Sequence, residues 1–284
     1  MSSIENKHKR VIINADDFGI TKGVNKAIFE LIDAGIVTST SVMSNMPDYV
    51  DVLKFKTKIG ISVHFNLTTG RPINDSKKIP TLVDKQGCFY ELPELLKRVR
   101  QRQISKQEVE IEFDAQIKRL FDIGVRPDHV DTHESLLKYP FFKKIIREKA
   151  KKYSIMAVRT YTPRKFDYAR LLSPKKLLIS LYLGFQKMRW RCDGFKVADR
   201  YYGLMKTDLD YPTALKKLED VFSNLPGGIL EIGVHPGYCN DNNNVLGGYV
   251  KEREVEFQAL MSKELKSAIE KAKAQLIKFG DIKK

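Results

Sequence analysis

Residues 11–19, VIINADDFG, decide the fold of this 284-residue chain. The run opens with three β-branched residues, which favour a buried strand, and it ends at a glycine that permits a tight turn. Asp16 and Asp17 stand where the strand ends. This pattern is typical of a parallel α/β sheet, in which polar groups gather at the carboxyl ends of apolar strands.

Short β-rich runs alternate with helical patterns along the rest of the chain. Strands are predicted at 11–14, 36–43, 59–65, 129–132, 155–160, 229–234 and 275–279, and helices around 24–32, 92–123, 141–152, 211–223 and 252–273. This alternation predicts a parallel sheet covered by helices. We expect a charged leader at 1–9 and one α/β catalytic domain over 10–284, with a (β/α) barrel-like fold, as in a deformed or incomplete TIM-type barrel.

The composition narrows the class of protein. Hydrophobic residues make up 42% of the chain and charged residues 30%, and no apolar run approaches the ~18 residues of a membrane-spanning helix. Neither a secretory signal nor a CxxC pair is present, which predicts a cytoplasmic protein with reduced thiols. The net charge of +15 favours contact with phosphate-rich surfaces. The basic residues form no recognition helix, so we expect no nucleic-acid partner.

A basic amphipathic insertion is predicted at about 164–203. Within it, apolar residues fall near one helical face, namely Leu177, Leu178, Leu181, Phe185 and Met188. Two interpretations stand. The helix is either a core helix with a solvated rim, or an interfacial helix on anionic lipid, with Trp190 and Tyr182 at headgroup depth. The second predicts peripheral association with the inner face of a membrane.

Four of the five histidines occupy the same kind of position. His64, His129, His133 and His235 each lie within or just beyond a β-like run. A single histidine at a strand end is more often structural. Because strand ends meet at one edge of a parallel sheet, histidines from distant segments can share a pocket there.

The adjacent carboxylates of Asp16 and Asp17 admit two interpretations. They form either an acidic turn that caps the helix beginning near Thr21, or part of a metal site. Two buried carboxylates repel each other, and a divalent cation offsets that cost. One aspartate with two histidines leaves positions for water and substrate, and the second aspartate is then free to accept a proton.

Five motifs resemble one family. NADDFG, VTSTSVMSNMP, SVHFNLTTGRP, DHVDTH and EIGVHPGY occur in the order seen in the YdjC-like carbohydrate deacetylases, which include chitooligosaccharide deacetylases and the hopanoid-pathway deacetylase. The resemblance extends from about residue 10 to the C-terminus and is weakest between 164 and 203. It implies a barrel-like fold, one divalent ion (Mg or Zn) and removal of an acetyl group from an N-acetylated sugar.

The resemblance also assigns roles to residues. Asp17, His64 and His133 correspond to the metal ligands. Asp16 resembles the general base that activates water, and His235 resembles the acid that protonates the departing amine. An amide needs both groups, because its leaving nitrogen must be protonated while water attacks its carbonyl.

Four further residues are candidates for substrate contact or for support of the ligands. His129 and Asp131 alternate with His133 along one strand, and support of a ligand histidine is favoured over direct ligation. Arg159 either binds substrate, orients an aspartate or lies at the surface. Asn66 either donates to a sugar or acetyl oxygen or stabilises a turn.

The third motif departs from the family pattern. Many relatives continue it with further histidines, as in DSHHHVH, whereas residues 131–137 of this chain read DTHESLL. The ligand position is kept, and Glu134 replaces one of the neighbouring histidines. We therefore do not expect this chain to share the specificity for chitooligosaccharides.

The first hypothesis is a metal-dependent amide hydrolase acting on an N-acetylated amino sugar, which the basic charge suggests is lipid-linked. Two alternatives come from other classes. One is a basic-surface binding protein with a degenerate metal site. The other is a metal-dependent phosphoesterase, which two nearby metals would favour. No oligomeric state is predicted.

Overall fold

Seven parallel strands form one curled sheet in the computed structural model, which describes residues 9–163, 173–239 and 245–283. The strands are β1 (Lys9–Phe18), β2 (Ser39–Val42), β3 (Gly60–Phe65), β4 (His129–Thr132), β5 (Arg200–Gly203), β6 (Gly228–Val234) and β7 (Gln275–Leu276). Their order is β4-β3-β2-β1-β6-β5, and β7 pairs with β1. β1 lies at the centre, where its last eight residues are buried.

The sheet curls into a deformed barrel. Isolated parallel bridges join Val130 to Val158 and Ala157 to Lys196, so the pairing continues from β4 through the segment near 158 toward β5. A strand predicted at 155–160 is therefore present as single bridges rather than as a full ladder. The expected α/β barrel-like fold is confirmed, whereas β5 was not predicted from the sequence.

Eight α-helices cover the described part of the sheet. They are α1 (Lys22–Asp33), α2 (Leu92–Arg100), α3 (Lys106–Asp122), α4 (Pro140–Lys152), α5 (Pro174–Cys192), α6 (Tyr211–Ser223), α7 (Lys251–Met261) and α8 (Lys263–Lys271). Two predicted helices are each divided in two, the first by residues 101–105 and the second by Ser262 alone. Ser105 caps α3 and Ser262 caps α8, because each hydroxyl accepts a hydrogen bond from a free backbone N–H of the first turn.

The structure contradicts the core-helix interpretation of α5 and one detail of the interfacial interpretation. Leu178, Leu181 and Phe185 are exposed, so α5 is not a core helix. Trp190, placed at headgroup depth by the second prediction, is instead buried against Phe195. The predicted insertion also has a different end, since residues 200–203 form β5, and its residues 164–172 lie outside the described chain. No helix among the described residues has the length and apolarity needed to cross a membrane.

Glycine at position 233 is required by close packing between β5 and β6. A Cβ atom there would lie 2.5 Å from the Tyr201 hydroxyl oxygen, closer than real contacts allow. We expect Gly233→Ala to lower the free energy of unfolding by about 1–3 kcal/mol. Gly184→Ala in α5 is the matched control, because its added methyl group meets open space, and it is expected to stabilise by about 0.5–1 kcal/mol. Urea denaturation of both variants measures the two effects, and equal stability of both would contradict this packing.

Candidate active site

The carboxyl ends of the strands bring the predicted site residues together. Asp16 and Asp17 lie near the end of β1, and His64 is the penultimate residue of β3. His133 directly follows β4, and His235 directly follows β6. Each side chain is less than one-fifth exposed. The expected convergence of distant histidines on the aspartate pair is therefore present.

Asp17 is the centre of a group that can hold a metal ion. Its Oδ1 lies 3.3 Å from His64 Nε2 and 2.9 Å from His133 Nδ1, and one ligand atom from each of the three residues lies within 4.8 Å of the others. Its Oδ2 accepts a hydrogen bond from Arg253 at 2.7 Å. One carboxylate oxygen is thus engaged by an arginine while the other faces both imidazoles.

The backbone at Asp17 adopts the left-handed conformation, with φ 66°. Aspartate tolerates this region better than most residues, because its short polar side chain makes local hydrogen bonds. The conformation breaks the alternation of side chains expected along a strand. Asp16 and Asp17, although adjacent, therefore reach different partners.

The electrostatic environment keeps Asp17 ionised and His64 protonated. Burial opposes ionisation of Asp17, but the charges of His133 and Arg253 hold its pKa well below the usual range. Burial also disfavours a charged His64, yet the carboxylates of Asp131, Asp17 and Asp16 raise the pKa of His64 to about 10. The site is therefore a network of compensating charges.

Asp16 is held in place by a bidentate ion pair with Arg159. The two guanidinium nitrogens lie 2.6 Å and 2.8 Å from its carboxylate oxygens, and Asn14 donates to Oδ1 at 2.7 Å. The imidazole Nε2 of His235 lies 3.6 Å from Asp16 Oδ2. Asp16 thus has a fixed orientation and faces the histidine predicted as the acid.

Arg159 contacts two more buried carboxylates. Its NH1 lies 2.5 Å from Asp131 Oδ2, and its Nε donates to Glu231 Oε1 at 2.5 Å. The alternative that Arg159 is a surface residue is wrong, since it is almost fully buried, and its contacts are those of a group that orients Asp16. Burial raises the pKa of Glu231 to about 8, although Arg159 opposes that shift.

Asp131 and His129 lie behind the central residues. Asp131 Oδ2 is 3.2 Å from His64 Nδ1 and accepts a hydrogen bond from Ser41. The ring of His129 contacts Asp128 through Nδ1 and Asn14 through Nε2, and Asn14 in turn donates to Asp16. These contacts fit the favoured supporting role, since a carboxylate beside the second ring nitrogen fixes the orientation of a histidine.

Asn66 is engaged by its own loop. Its Oδ1 accepts from the backbone N–H groups of Thr68 and Thr69, and its Nδ2 donates to Thr69 O and to Asn45. These contacts match the turn-stabilising alternative rather than an amide directed at a substrate. The same loop places the Thr69 hydroxyl 3.1 Å from His133 Nε2, which orients that ring.

The chain turns sharply after His133. Glu134 and Ser135 both adopt left-handed conformations, with φ 49° and 57°, and Glu134 is exposed. Strained backbone of this kind costs free energy and concentrates at functional sites. In this chain the strained turn falls on the residues that depart from the family pattern.

His235 is supported by residues that the sequence did not reveal. Its backbone N–H donates to Glu256 Oε2 at 2.6 Å, and Tyr249 donates its hydroxyl to the other oxygen of that carboxylate. Glu256 and Arg253 lie one turn apart in α7, which by its composition reads as a solvated helix. No local sequence signal identifies them. Glu231 had such a signal, because it is a charged residue inside the apolar run of β6.

Comparison with known proteins assigns this chain to a family. The model of a family described as YdjC-like protein matches residues 10–271. The chain belongs to the YdjC-like family. Among the relatives of this YdjC-like chain, a carbohydrate deacetylase of Clostridium beijerinckii is 30% identical over 276 residues, which cover 96% of this chain and 100% of that protein. A carbohydrate deacetylase of Thermoanaerobacter pseudethanolicus is 31% identical over 261 residues, which cover 90% and 92%.

A solved structure from Enterococcus faecalis has the same architecture as this YdjC-like chain. It is described as a cellobiose-phosphate cleavage protein, with a TM-score of 0.73 and 27% sequence identity. The match covers 96% of this chain and 98% of the other. The sequence-based assignment to the YdjC-like family is thus confirmed.

The raised pKa of Glu231 predicts a pH-dependent stability. Because the folded protein holds this proton up to about pH 8, whereas an unfolded glutamate loses it near 4.5, the free energy of unfolding falls as pH rises between these values. Glu231→Gln removes this titration, so the variant gains stability relative to the parent protein across that window. Urea denaturation with a chelator present at pH 5, 6.5 and 8 measures the difference. A difference that is independent of pH would contradict the buried, protonated state.

Proposed function

We propose that this protein is a metal-dependent hydrolase that removes an acetyl group from an N-acetylated amino sugar. The observation that carries the proposal is the position of Asp16 and His235 beside the group formed by Asp17, His64 and His133. Membership of the YdjC-like family and relatives named carbohydrate deacetylase support it. One site then contains a base, an acid and a place for a cation.

The donor set fits one divalent ion held by Asp17, His64 and His133, and His64 would release its ring proton on binding, because only a neutral imidazole can be a ligand. A carboxylate with two imidazoles suits zinc, and an oxygen-rich surrounding also suits magnesium. When bound, the ion supplies polarisation of the amide carbonyl and of the attacking water. Arg253 and Thr69 hold Asp17 and His133 in position for this role.

Asp16 and His235 perform the proton transfers in the proposed reaction. Asp16 accepts a proton from the water that attacks the carbonyl carbon, and protonated His235 donates a proton to the departing amine nitrogen. The products are acetate and a free amino sugar. In each turnover Asp16 gains one proton and His235 loses one. Because His235 Nε2 and Asp16 Oδ2 lie 3.6 Å apart, the proton can pass from Asp16 to His235 and restore both groups.

The geometry favours a deacetylase over a phosphoesterase with two metals. A second group with metal-ligand spacing consists of Asp16, His64 and Asp131. The Arg159 guanidinium lies between two of these residues, with NH1 at 2.6 Å from Asp16 and 2.5 Å from Asp131. A fixed cation of the chain itself thus takes the carboxylate oxygens that a second ion would need.

The proposal also includes a lipid-linked substrate and peripheral association with the inner, cytoplasmic face of an anionic membrane. The net charge of +15 supports this part. Acetate release is compared among free, nucleotide-linked and lipid-linked N-acetylhexosamines. Preference for the lipid-linked compounds supports a substrate at the membrane, whereas equal or lower rates with them contradict it.

Two substitutions test the catalytic roles. We expect Asp16→Asn and His235→Ala each to lower the rate of acetate release by about 10²–10⁴-fold, because each removes one proton-transfer group. Metal content, measured by elemental analysis, is expected to stay at the level of the parent protein. Retained function in Asp16→Asn would instead favour the alternative of a binding protein with a degenerate metal site.

Substitution of a ligand gives the opposite pattern. His64→Ala is expected to lose both the bound metal and the acetate release, since it removes one of three donors. The stoichiometry of the parent protein is expected to be one ion per chain, because Arg159 occupies the second group. Two ions per chain, with hydrolysis of phosphate esters, would overturn the deacetylase proposal in favour of the phosphoesterase.

A further inference from the structure

α5 presents an apolar stripe to its surroundings. Six large side chains along it are exposed by 41–67%, and five of them form the stripe, namely Leu178, Leu181, Tyr182, Phe185 and Met188, whereas Ile179 lies outside it. Their spacing of three, four, seven and ten residues from the first places them on one face of the helix. Large apolar side chains scattered singly need no explanation, but a contiguous stripe of this kind marks an interaction site.

The opposite face of α5 is fixed to the body of the protein. Trp190 is 3% exposed and packs edge-on against Phe195, with the Arg147 guanidinium 4.6 Å from its ring centre. Lys187 donates to the backbone carbonyl of Asp199 at 2.9 Å. The apolar stripe is therefore held on the outer side of an anchored helix.

The charge of α5 has a single sign. Residues 174–192 contain five Lys or Arg residues and no Asp or Glu. Arg189 lies in the same helical sector as the stripe, and Lys175 and Lys176 stand in the first turn. Lys143 of α4 donates to the Tyr182 hydroxyl and adds a positive charge at the edge of the stripe. An apolar face with basic residues around it is the arrangement of a helix that lies in a membrane interface.

The connectivity places one end of α5 on the side of the active site. The helix follows the segment that carries Arg159, and it precedes residue 196, which pairs in parallel with Ala157. A helix that connects two parallel strands runs back against them, so it begins at the carboxyl ends of the strands. We therefore expect the first turn of α5 at the edge of the sheet where the carboxyl ends of the strands meet, which is the edge that carries the candidate active site.

We propose that the outer face of α5 docks the protein on an anionic lipid bilayer. The apolar side chains enter the interface, and the basic residues contact the headgroups. A second copy of the chain fits this face poorly, because a symmetric pair places two acid-free, basic helices against each other. The proposal extends the lipid-linked part of the proposed function, but it stands without the deacetylase activity, since docking needs neither substrate nor metal.

Co-sedimentation with vesicles tests the docking directly. The full-length protein is expected to bind vesicles of mixed phosphatidylcholine and phosphatidylglycerol and to dissociate as salt rises. It is expected to bind phosphatidylcholine alone at least tenfold more weakly, a factor that about two contacts between basic residues and anionic headgroups supply. Leu178→Gln combined with Phe185→Gln is expected to weaken binding by about tenfold or more. The matched control, Val50→Gln with Leu53→Gln, changes two exposed apolar residues elsewhere and is expected to leave binding unchanged.

Charge substitutions form a second matched pair. Lys175→Gln, Lys176→Gln and Arg189→Gln together remove three charges from α5, and are expected to weaken binding far more than Lys77→Gln, Lys85→Gln and Lys251→Gln, which remove three exposed charges elsewhere. Equal effects of the two triple variants would show a diffuse attraction by net charge and would overturn the assignment to α5.

The single tryptophan reports the orientation of the helix. Brominated lipids quench only indole groups that enter the bilayer, so the buried Trp190 is expected to be quenched weakly. Phe185→Trp in a Trp190→Phe background is expected to be quenched strongly. Circular dichroism and thermal denaturation verify that each variant is folded.

Three further results would overturn the proposal. They are no vesicle binding by the parent protein, equal quenching at positions 185 and 190, and a concentration-dependent dimer in sedimentation velocity that Leu178→Gln with Phe185→Gln abolishes. The last result would assign the stripe to a second copy of the chain. Loss of acetate release with intact vesicle binding would contradict the proposed enzyme activity alone.

Discussion

The ion cluster around Arg159 is the constraint on which the rest of the site depends. One guanidinium contacts carboxyl groups from three strands, namely the carboxylates of Asp16 on β1 and Asp131 on β4 and the protonated carboxyl group of Glu231 on β6. Buried charges of this kind recover their desolvation cost only with near-ideal geometry, so they define the positions of their partners closely. Arg159 thus joins opposite parts of the curled sheet through its interior, and it fixes the carboxylate proposed to act as the base.

The aspartate pair shows how two adjacent carboxylates coexist in a buried site. Asp16 turns to Arg159, whereas Asp17, in its left-handed conformation, turns to Arg253 and the two imidazoles. Each carboxylate has its own arginine, so mutual repulsion is offset before any ion binds. The two arginines have different roles. Arg159 orients Asp16, the proposed base, whereas Arg253 binds one oxygen of Asp17 and leaves the other directed at the histidines.

The sequence was sufficient for the strands and for the convergence of the histidines, because both follow from local patterns and from the geometry of parallel sheets. β-branched runs marked β1, β3, β4 and β6, and strand ends marked His64, His133 and His235. The role of Arg253 could not be predicted from the sequence. It lies 236 residues from its partner Asp17, in a helix whose composition is typical of a solvent-exposed helix. The core-helix interpretation of α5 and the placement of Trp190 were wrong for a related reason, because periodicity identifies an apolar face but not the direction in which it points.

The contact between Asp17 and Arg253 also has a consequence for biosynthesis. β1 is synthesised before the other strands of the sheet, yet its neighbour β6, its short partner β7 and the arginine that pairs with Asp17 all lie more than 200 residues later. The apolar central strand is therefore enclosed on both sides only after these later segments have been synthesised. Contacts at such long sequence separation slow folding and prolong the exposure of apolar surface.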